Sequence, residues 1–230
     1  GSAATVVGVS AVKIALDDFI ADGGAIAAAA LGCEAGDLAY ADGAFSAPDG
    51  QNMTWADIAR HSNKAGGHSV LGEFTPPDVT YPNGCHICEV EIDPTTGKVA
   101  FCDYVVVEDV GTVLSPDLVE GQMHGGVAQG IGQALGETLL FDPQGQLLTG
   151  SFLDYQMPVA SDFPPFRMMT IAVPTAINPL GAKGVGEAGT VGALAATMNA
   201  VADALASAGV HDFEMPATPY RVWKALQSLT

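Results

Sequence analysis

The stretch from Asp117 to Leu135 reads as a helix that ought to be costly to build. Ser115-Pro116-Asp117 supplies a cap, a proline at the first helical position and an early acid that complements the helix dipole. The interior, however, holds Gly121, Gly125, Gly126, Gly130 and Gly132, with Gly136 at the end. Each interior glycine costs about 1 kcal/mol relative to alanine, so the set costs about 5 kcal/mol, comparable with the net stability of a whole domain. A close neighbour must offset that. Positions 121, 125, 128 and 132 are all Gly or Ala, a strip along which another backbone or a flat ligand can approach. Beside it run Gln122, Gly126, Gln129 and Gln133, so the glutamine amides share one face, each with a donor and an acceptor suited to a heterocycle or phosphate edge. Tight helix packing with solvated glutamines explains the same pattern, and the sequence leaves both readings open.

A second glycine cluster, Gly181-Ala182-Lys183-Gly184-Val185-Gly186-Glu187-Ala188-Gly189, precedes a helix that Thr190 is expected to cap and that runs to Ala208. Residues 184–189 spell G-x-G-x-x-G, but the dinucleotide fingerprint needs a strand immediately before it, and here the preceding segment is Pro174 to Pro179. What remains is physical: hinged backbone can approach a ligand, and Glu187 is presented where helix-terminal amides point at anions. Glu187 is therefore a candidate general base, with an ordinary acid stabilised by the helix dipole as the plainer reading.

Composition narrows the function class. Lys plus Arg number 8 against 26 Asp plus Glu, a formal charge of −18, which opposes binding to phosphate backbones or anionic lipid. Mean hydropathy is +0.28, yet the most apolar stretches, Ala25 to Leu31 and Val191 to Ala208, are short, Ala-rich or broken by polar residues, so no membrane span is expected. No secretory signal opens the chain, and Gly1-Ser2 in place of Met reads as a processed end or a cleavage scar. Cys33, Cys85, Cys88 and Cys102 are too few and too irregular for a disulfide scaffold, and a reducing compartment is expected. Cys85 and Cys88 match C-x-x-C, but on the strand Cys85 to Ile92 they point to opposite faces and are read as buried structural thiols. The five histidines lack metal-ligand spacing and are read as structural or surface residues, with His124 a packing or rim residue. Asp17-Asp18 and Glu108-Asp109 are read as solvated surface.

The expected elements are a helix from Val6 to Leu31 with Val12, Leu16, Phe19 and Ile20 on its buried face, and a hairpin turned by Asp42-Gly43. A helix from Trp55 to His61 capped by Thr54 follows, then a strand from Ser69 to Phe74 beyond Gly66-Gly67. Pro76-Pro77 to Gly84 is the natural internal boundary, giving lobes 1–80 and 81–230 within one region 1–230. A hairpin of Glu89 to Ile92 and Val99 to Val107 turns at residues 93–97, and another turns at Pro143-Gln144-Gly145. A strand from Phe166 to Val173 and a helix from Pro219 to about Leu226 complete an α+β pattern of mixed or antiparallel sheets with packed helices.

Together, Val119 to Leu135 (VEGQMHGGVAQGIGQAL) and Asn178 to Thr190 (NPLGAKGVGEAGT) resemble the large, molybdopterin-binding subunit of the molybdenum hydroxylases. That family includes xanthine dehydrogenase, aldehyde oxidoreductase and aerobic carbon monoxide dehydrogenase. The likeness continues through Tyr81-Pro82-Asn83-Gly84, Glu89 to Asp93 and Pro216 to Trp223. The resemblance implies the fold of the molybdenum cofactor-binding domain and a base at Glu187 that activates the oxygen attacking an electron-poor substrate carbon. Water supplies the product oxygen, and the substrate is a small carbonyl compound, an N-heterocycle or carbon monoxide.

By the same resemblance Lys183, Gly184, Val185 and Gly186 line the metal pocket, while Gln122 and Gln129 contact the cofactor. Ser2, Ala3, Ala4 and Thr5 lie in a loop that binds the pterin or its phosphate; Ala3 stands where bacterial relatives usually have arginine. The molybdenum is held by the pterin, in its cytosine dinucleotide form, and takes no protein side chain. FAD and iron–sulfur clusters belong to partner subunits or domains. Family large subunits are several times longer, so this chain is expected to be a C-terminal portion, cytoplasmic and inactive without its N-terminal half and partner subunits. A cofactor-free interaction module that keeps the fold is the alternative.

Overall fold

The computed structural model describes residues 2–62 and 69–228. Gly1, Gly66-Gly67 and His68 lie outside them. The chain forms two compact units, one from the described part of Ala3–Pro77 with Asn178–Leu180, the other from Ser2, Asp78–Ile177 and the described part of Gly181–Thr230.

In the first unit a π-helical turn, Ala4–Val9, runs into helix α1, Ser10–Leu31. Three short strands, β1 (Ala39–Ala41), β2 (Ala44–Ser46) and β3 (Asn52–Thr54), make an antiparallel sheet in that order. The β1–β2 turn is Asp42-Gly43 as expected, both residues at positive φ. Thr54 caps helix α2, Trp55–His61, through a reciprocal pair in which Asp57 N–H donates to Thr54 Oγ1 and Thr54 N–H donates to Asp57.

The buried face of α1 differs from the apolar spacing. Val12 and Leu16 are 55% and 54% exposed, while Gly23, Gly24, Ala27 and Ala28 are buried. Glycine decides this, because rings of Trp55 and Phe45 rest on the bare backbone at Gly23 and Gly24, and Phe19 stacks on Trp55 at 4.4 Å. No strand forms over Ser69 to Phe74. Gly72 sits against the α1 backbone at Ala11 and Ala15, which leaves the segment packed on a helix rather than hydrogen-bonded to a sheet.

The second unit is built on β4 (Asn83–Ile92), β5 (Val99–Asp109) and β6 (Arg167–Thr170), ordered β4-β5-β6, the first pair antiparallel and the second parallel. The hairpin is longer than its sequence signal. A bulge shifts the register between Glu89 and Val90 and leaves Cys102 as the extra residue. It moves the inward set from Val99 and Phe101 to Tyr104, Val106 and Glu108.

Onto that face pack α3 (Pro116–Leu135) and α4 (Ala188–Ser207), whose Met123, Val127, Ile131 and Ala193 share a core with Tyr104 and Val106. Helix α5 (Pro219–Gln227) closes the far end with Val222 against Val201, Leu205 and Ala217. Strand β6 is shorter than expected because the Val173 amide donates to the Asp109 carboxylate instead of a ladder carbonyl. Pro143-Gln144-Gly145 makes a turn closed by a single bridge, Phe141 to Leu147, its amides held by Asp142. The architecture is α+β, and among the described residues no helix is long and apolar enough to cross a membrane.

Candidate functional site

The glycines of α3 divide into two classes. Gly126 and Gly130 are buried against α4, where a Cβ at Gly130 would stand 2.7 Å from the Thr190 carbonyl oxygen and 2.8 Å from Ala193 Cβ. Gly189 returns the fit, with room for a Cβ only 2.8 Å from the Met123 carbonyl oxygen. The glycines packed on α4 are therefore Gly126 and Gly130, while Gly132 is buried against Glu137 and Pro158, where a Cβ would stand 2.8 Å from Pro158 Cγ. A Cβ at Gly121 or Gly125 would meet open space, so α3 presents bare backbone to the surface on either side of Gln122. Packing explains Gly126, Gly130 and Gly132 and leaves Gly121 and Gly125 facing outward.

Loop 181–187 is anchored residue by residue. Gly181 adopts positive φ and its carbonyl accepts from Thr112 N–H and Thr175 N–H at 2.9 and 3.1 Å. Lys183 N–H donates to the Val110 carbonyl at 2.8 Å. The Lys183 ammonium reaches Asp109 at 2.5 Å, the side chains being 10% and 13% exposed. Glu108-Asp109 is therefore not solvated surface. Burial pushes Asp109 upward, but the Lys183 ammonium and the Gly111 and Val173 amides more than offset it and hold the carboxyl below its ordinary value.

The peptide before Glu187 is gripped from both sides: Gly186 N–H donates to Ser2 Oγ at 3.1 Å, and Gln122 Nε2 donates to the Gly186 carbonyl at 2.6 Å. A side chain at Gly184 or Gly186 would run into Ser2. Val185 packs inward on the core. Glu187, not Thr190, is the N-cap of α4, because the helix begins at Ala188. Its side chain is exposed, makes no capping bond, and has no hydrogen-bond or ion-pair partner among the described residues. Thr190 lies inside the first turn, its hydroxyl donating to Gln129 Oε1 at 3.3 Å.

The structure thus brings together Ser2, Gln122 and residues 183–187, with Gln129 a step further along the same two helices. Ala3, Ala4 and Thr5 belong to the other unit, where they open the helical run with exposed residues rather than forming a loop. His124 keeps its packing role, its Nδ1 at 2.9 Å from the Glu120 carbonyl and its ring beside Phe166.

A cluster the sequence reading missed lies under α4. His86 Nδ1 is 3.0 Å from the Tyr104 hydroxyl and His86 Nε2 is 3.0 Å from Glu108 Oε1, with the His86 and Glu108 side chains 4% and 5% exposed. Burial pushes the Tyr104 hydroxyl well above its usual range. The recoverable signal was strand alternation: Gly84, His86 and Cys88 share a face, as do Tyr104, Val106 and Glu108. Cys85 is exposed instead of buried, and Cys88 is half-buried with its thiol pushed up to about 11 by burial. No group of three or more His, Cys, Asp or Glu able to hold a metal occurs among the described residues.

This arrangement suits a group that brings its own metal ligands. It offers bare helix backbone, a primary amide and a fixed glycine loop, with an exposed carboxylate that has no partner among the described residues. The chain belongs to the molybdopterin cofactor-binding domain family, whose model matches residues 1–164. Among individual proteins it is 37% identical to the carbon monoxide dehydrogenase large chain of Hydrogenophaga pseudoflava, over 99% of this chain and 29% of that one. Its fold matches carbon monoxide dehydrogenase from Oligotropha carboxidovorans with a TM-score of 0.90 at 31% identity, over 99% of this chain and 29% of that one. Quinoline 2-oxidoreductase from Pseudomonas putida 86 gives 0.86 at 33% identity, over 98% of this chain and 30% of that one. The chain therefore spans about three-tenths of the length of these relatives.

Proposed function

We propose that the chain is the C-terminal, cofactor-holding portion of a molybdopterin-dependent oxidoreductase large subunit that works in the cytoplasm and is inactive alone. The reaction is R–H + H2O → R–OH + 2 H⁺ + 2 e⁻ on a small carbonyl or N-heterocyclic substrate, or the oxidation of carbon monoxide by water. The observation that carries this reading is the presentation of Glu187. A carboxylate with no partner among the described residues stands at a helix N-cap, on a loop fixed by Ser2, Gln122 and the Lys183–Asp109 pair.

The residues fit the cofactor. The loop glycines give backbone access, the Gln122 carbonyl oxygen is free to accept a hydrogen bond, and the surface over Gly121 and Gly125 admits a flat ring system. Gly184, Val185 and Gly186 line it with main chain, and Lys183 contributes its place in the loop, its ammonium being committed to Asp109. Gln129 is assigned a further contact. Ser2, whose Oγ already accepts from Gly186 N–H, is assigned to the phosphate end. When bound, the molybdenum pterin supplies the two-electron acceptor.

Glu187 takes a proton onto its carboxylate oxygen from the oxygen that attacks the substrate carbon, and its exposed position lets that proton pass on to solvent. The backbone grip on Gly186 holds the carboxylate's pivot still while this happens, a positioning contribution. Flavin and iron–sulfur centres on partner subunits would supply the onward electron acceptors, and the preceding half of the large subunit would complete the substrate side.

The test is chemical identification of what the assembled enzyme holds. Denaturing release followed by mass spectrometry and metal analysis is expected to give one molybdenum and one pterin cytosine dinucleotide per large chain. An intact assembly with neither would make the chain a cofactor-free module.

A further inference from the structure

Gly192, in the second turn of α4, lies directly on the His86 ring, where a Cβ would overlap Cδ2 and Nε2 and stand 2.8 Å from Cε1. Two residues upstream of His86 on the same face of β4, Gly84 makes room for the Glu108 carboxylate, which any side chain there would overlap. On its other flank α4 meets bare α3 backbone through Gly189, Gly126 and Gly130. The first turns of α4 are thus held between a helix backbone and an imidazole ring, with glycine at each contact. Packing alone would be met by an apolar side chain. A buried imidazole and carboxylate carry a desolvation cost that only directional hydrogen bonds repay. His86 Nε2 faces Glu108 Oε1 and Nδ1 faces the Tyr104 hydroxyl, each at 3.0 Å. Both ring nitrogens are engaged, and the ring plane is fixed.

We propose that His86, clamped by Tyr104 and Glu108, is a positioning residue for Glu187. Its ring sets the seat of α4, and α4 carries Glu187 at its N-cap. Gly192 follows Glu187 by five residues, about 7.5 Å of helix rise, so a displacement at the ring is delivered to the carboxylate through less than two turns. Misplacing a catalytic group by about 1 Å costs up to about 100-fold in rate. This inference rests on the reading of Glu187 as the base, and it makes the buried network part of the base's geometry without contact to the reacting atoms.

The experiment uses the assembled, molybdenum-loaded enzyme with Gly192→Ala, His86→Ala, His86→Gln, Glu187→Gln and Gly192→Ala/Glu187→Gln. Gly192→Ala is expected to lower kcat at least tenfold with KM within twofold and metal content unchanged. Amide hydrogen exchange of the first two turns of α4 in the resting enzyme should rise about tenfold while α5 is unaffected. His86→Gln, whose amide can still donate to Glu108, should keep several-fold more kcat than His86→Ala. The double variant should be no slower than Glu187→Gln alone. Wild-type kcat and exchange in Gly192→Ala and His86→Ala, with Glu187→Gln slowed about 100-fold, would overturn the positioning role and leave the base standing. The positioning role also fails if Gly192→Ala slows Glu187→Gln by a further tenfold. Full turnover in Glu187→Gln would sink the base reading itself. Should Gly192→Ala not fold, His86→Ala, which removes bulk, bears the same comparison.

Discussion

Alanine at the α3 glycines should change stability with opposite signs at positions little more than one turn apart. At Gly125 the new methyl enters open space, so only helix propensity acts, and Gly125→Ala is expected to stabilise by about 0.5–1 kcal/mol. At Gly130 the same methyl meets the Thr190 carbonyl oxygen at 2.7 Å, Ala193 Cβ at 2.8 Å and the Leu194 amide nitrogen at 3.0 Å. Carbon atoms pack at about 3.5–4.0 Å, so α3 and α4 must separate by about 1 Å. Overpacking of this kind costs about 1–3 kcal/mol, and loosening of the shared core adds to it; the propensity gain of about 1 kcal/mol offsets part. Gly130→Ala should therefore be destabilised by about 1–2 kcal/mol net, leaving the two variants about 1.5–3 kcal/mol apart. Urea unfolding followed by circular dichroism, with slopes checked for equality, measures the gap. Gly130→Ala at or above the stability of Gly125→Ala would refute the division of α3 into a packed and an open face. The open face adds a second readout: if it receives the cofactor, Gly125→Ala should lose bound molybdenum while gaining stability.

The Lys183–Asp109 pair predicts acid sensitivity of a definite sign. The Asp109 carboxyl is held below its unfolded value, so its contribution is fully present above about pH 4 and is lost as pH falls through the lowered folded value. Asp109→Asn should show a shallower loss of stability as pH falls below about 4 than the parent, and parallel pH–stability curves would contradict this. Lys183→Met, leaving a buried carboxylate without its cation, should cost on the order of 3 kcal/mol in chemical denaturation at about pH 7, and a loss below about 1 kcal/mol would show the pair to be incidental. With its thiol raised to about 11, Cys88 should stay unmodified by iodoacetamide at about pH 8 while exposed Cys85 reacts; peptide mass spectrometry reads both, and equal labelling would contradict the burial.

Elements whose signals are local were legible in the sequence. Thr54 with Asp57, Asp42-Gly43, Pro116 and Pro219 each specify a boundary through their own backbone chemistry, and each boundary lies within a residue or two of its expected place. Expectation and structure part where a distant partner decides. Val12 and Leu16 carry the apolar spacing of α1, but bare backbone at Gly23 and Gly24 gives Trp55 and Phe45 a closer seat. Ser69 to Phe74 has strand composition, yet Gly72 fits against α1 and no strand among the described residues pairs with it. Ser115 makes no side-chain capping bond, and Thr190 falls inside its helix because Ala188 already begins the turn.

The glycines of α3 and of loop 181–187 stood out in the sequence because they violate helix propensity, and the structure sets Gln122 against that loop. Which glycines of α3 face a helix was not legible, since 126 and 130 differ from 121 and 125 only by their neighbours in space. Glu108 looked like half of an exposed acidic pair; the bulge at Cys102 turns it inward and pairs it with His86 across the hairpin.

Proton transfer by the carboxylate at the head of α4 is the step on which the proposed chemistry depends. Single-turnover kinetics of Glu187→Gln in the assembled enzyme, with molybdenum content measured on the same sample, test it without intermediaries. Undiminished molybdenum and a rate lower by about 100-fold or more are expected, the range for loss of a general base. A fully loaded Glu187→Gln enzyme turning over at the wild-type rate would contradict that role.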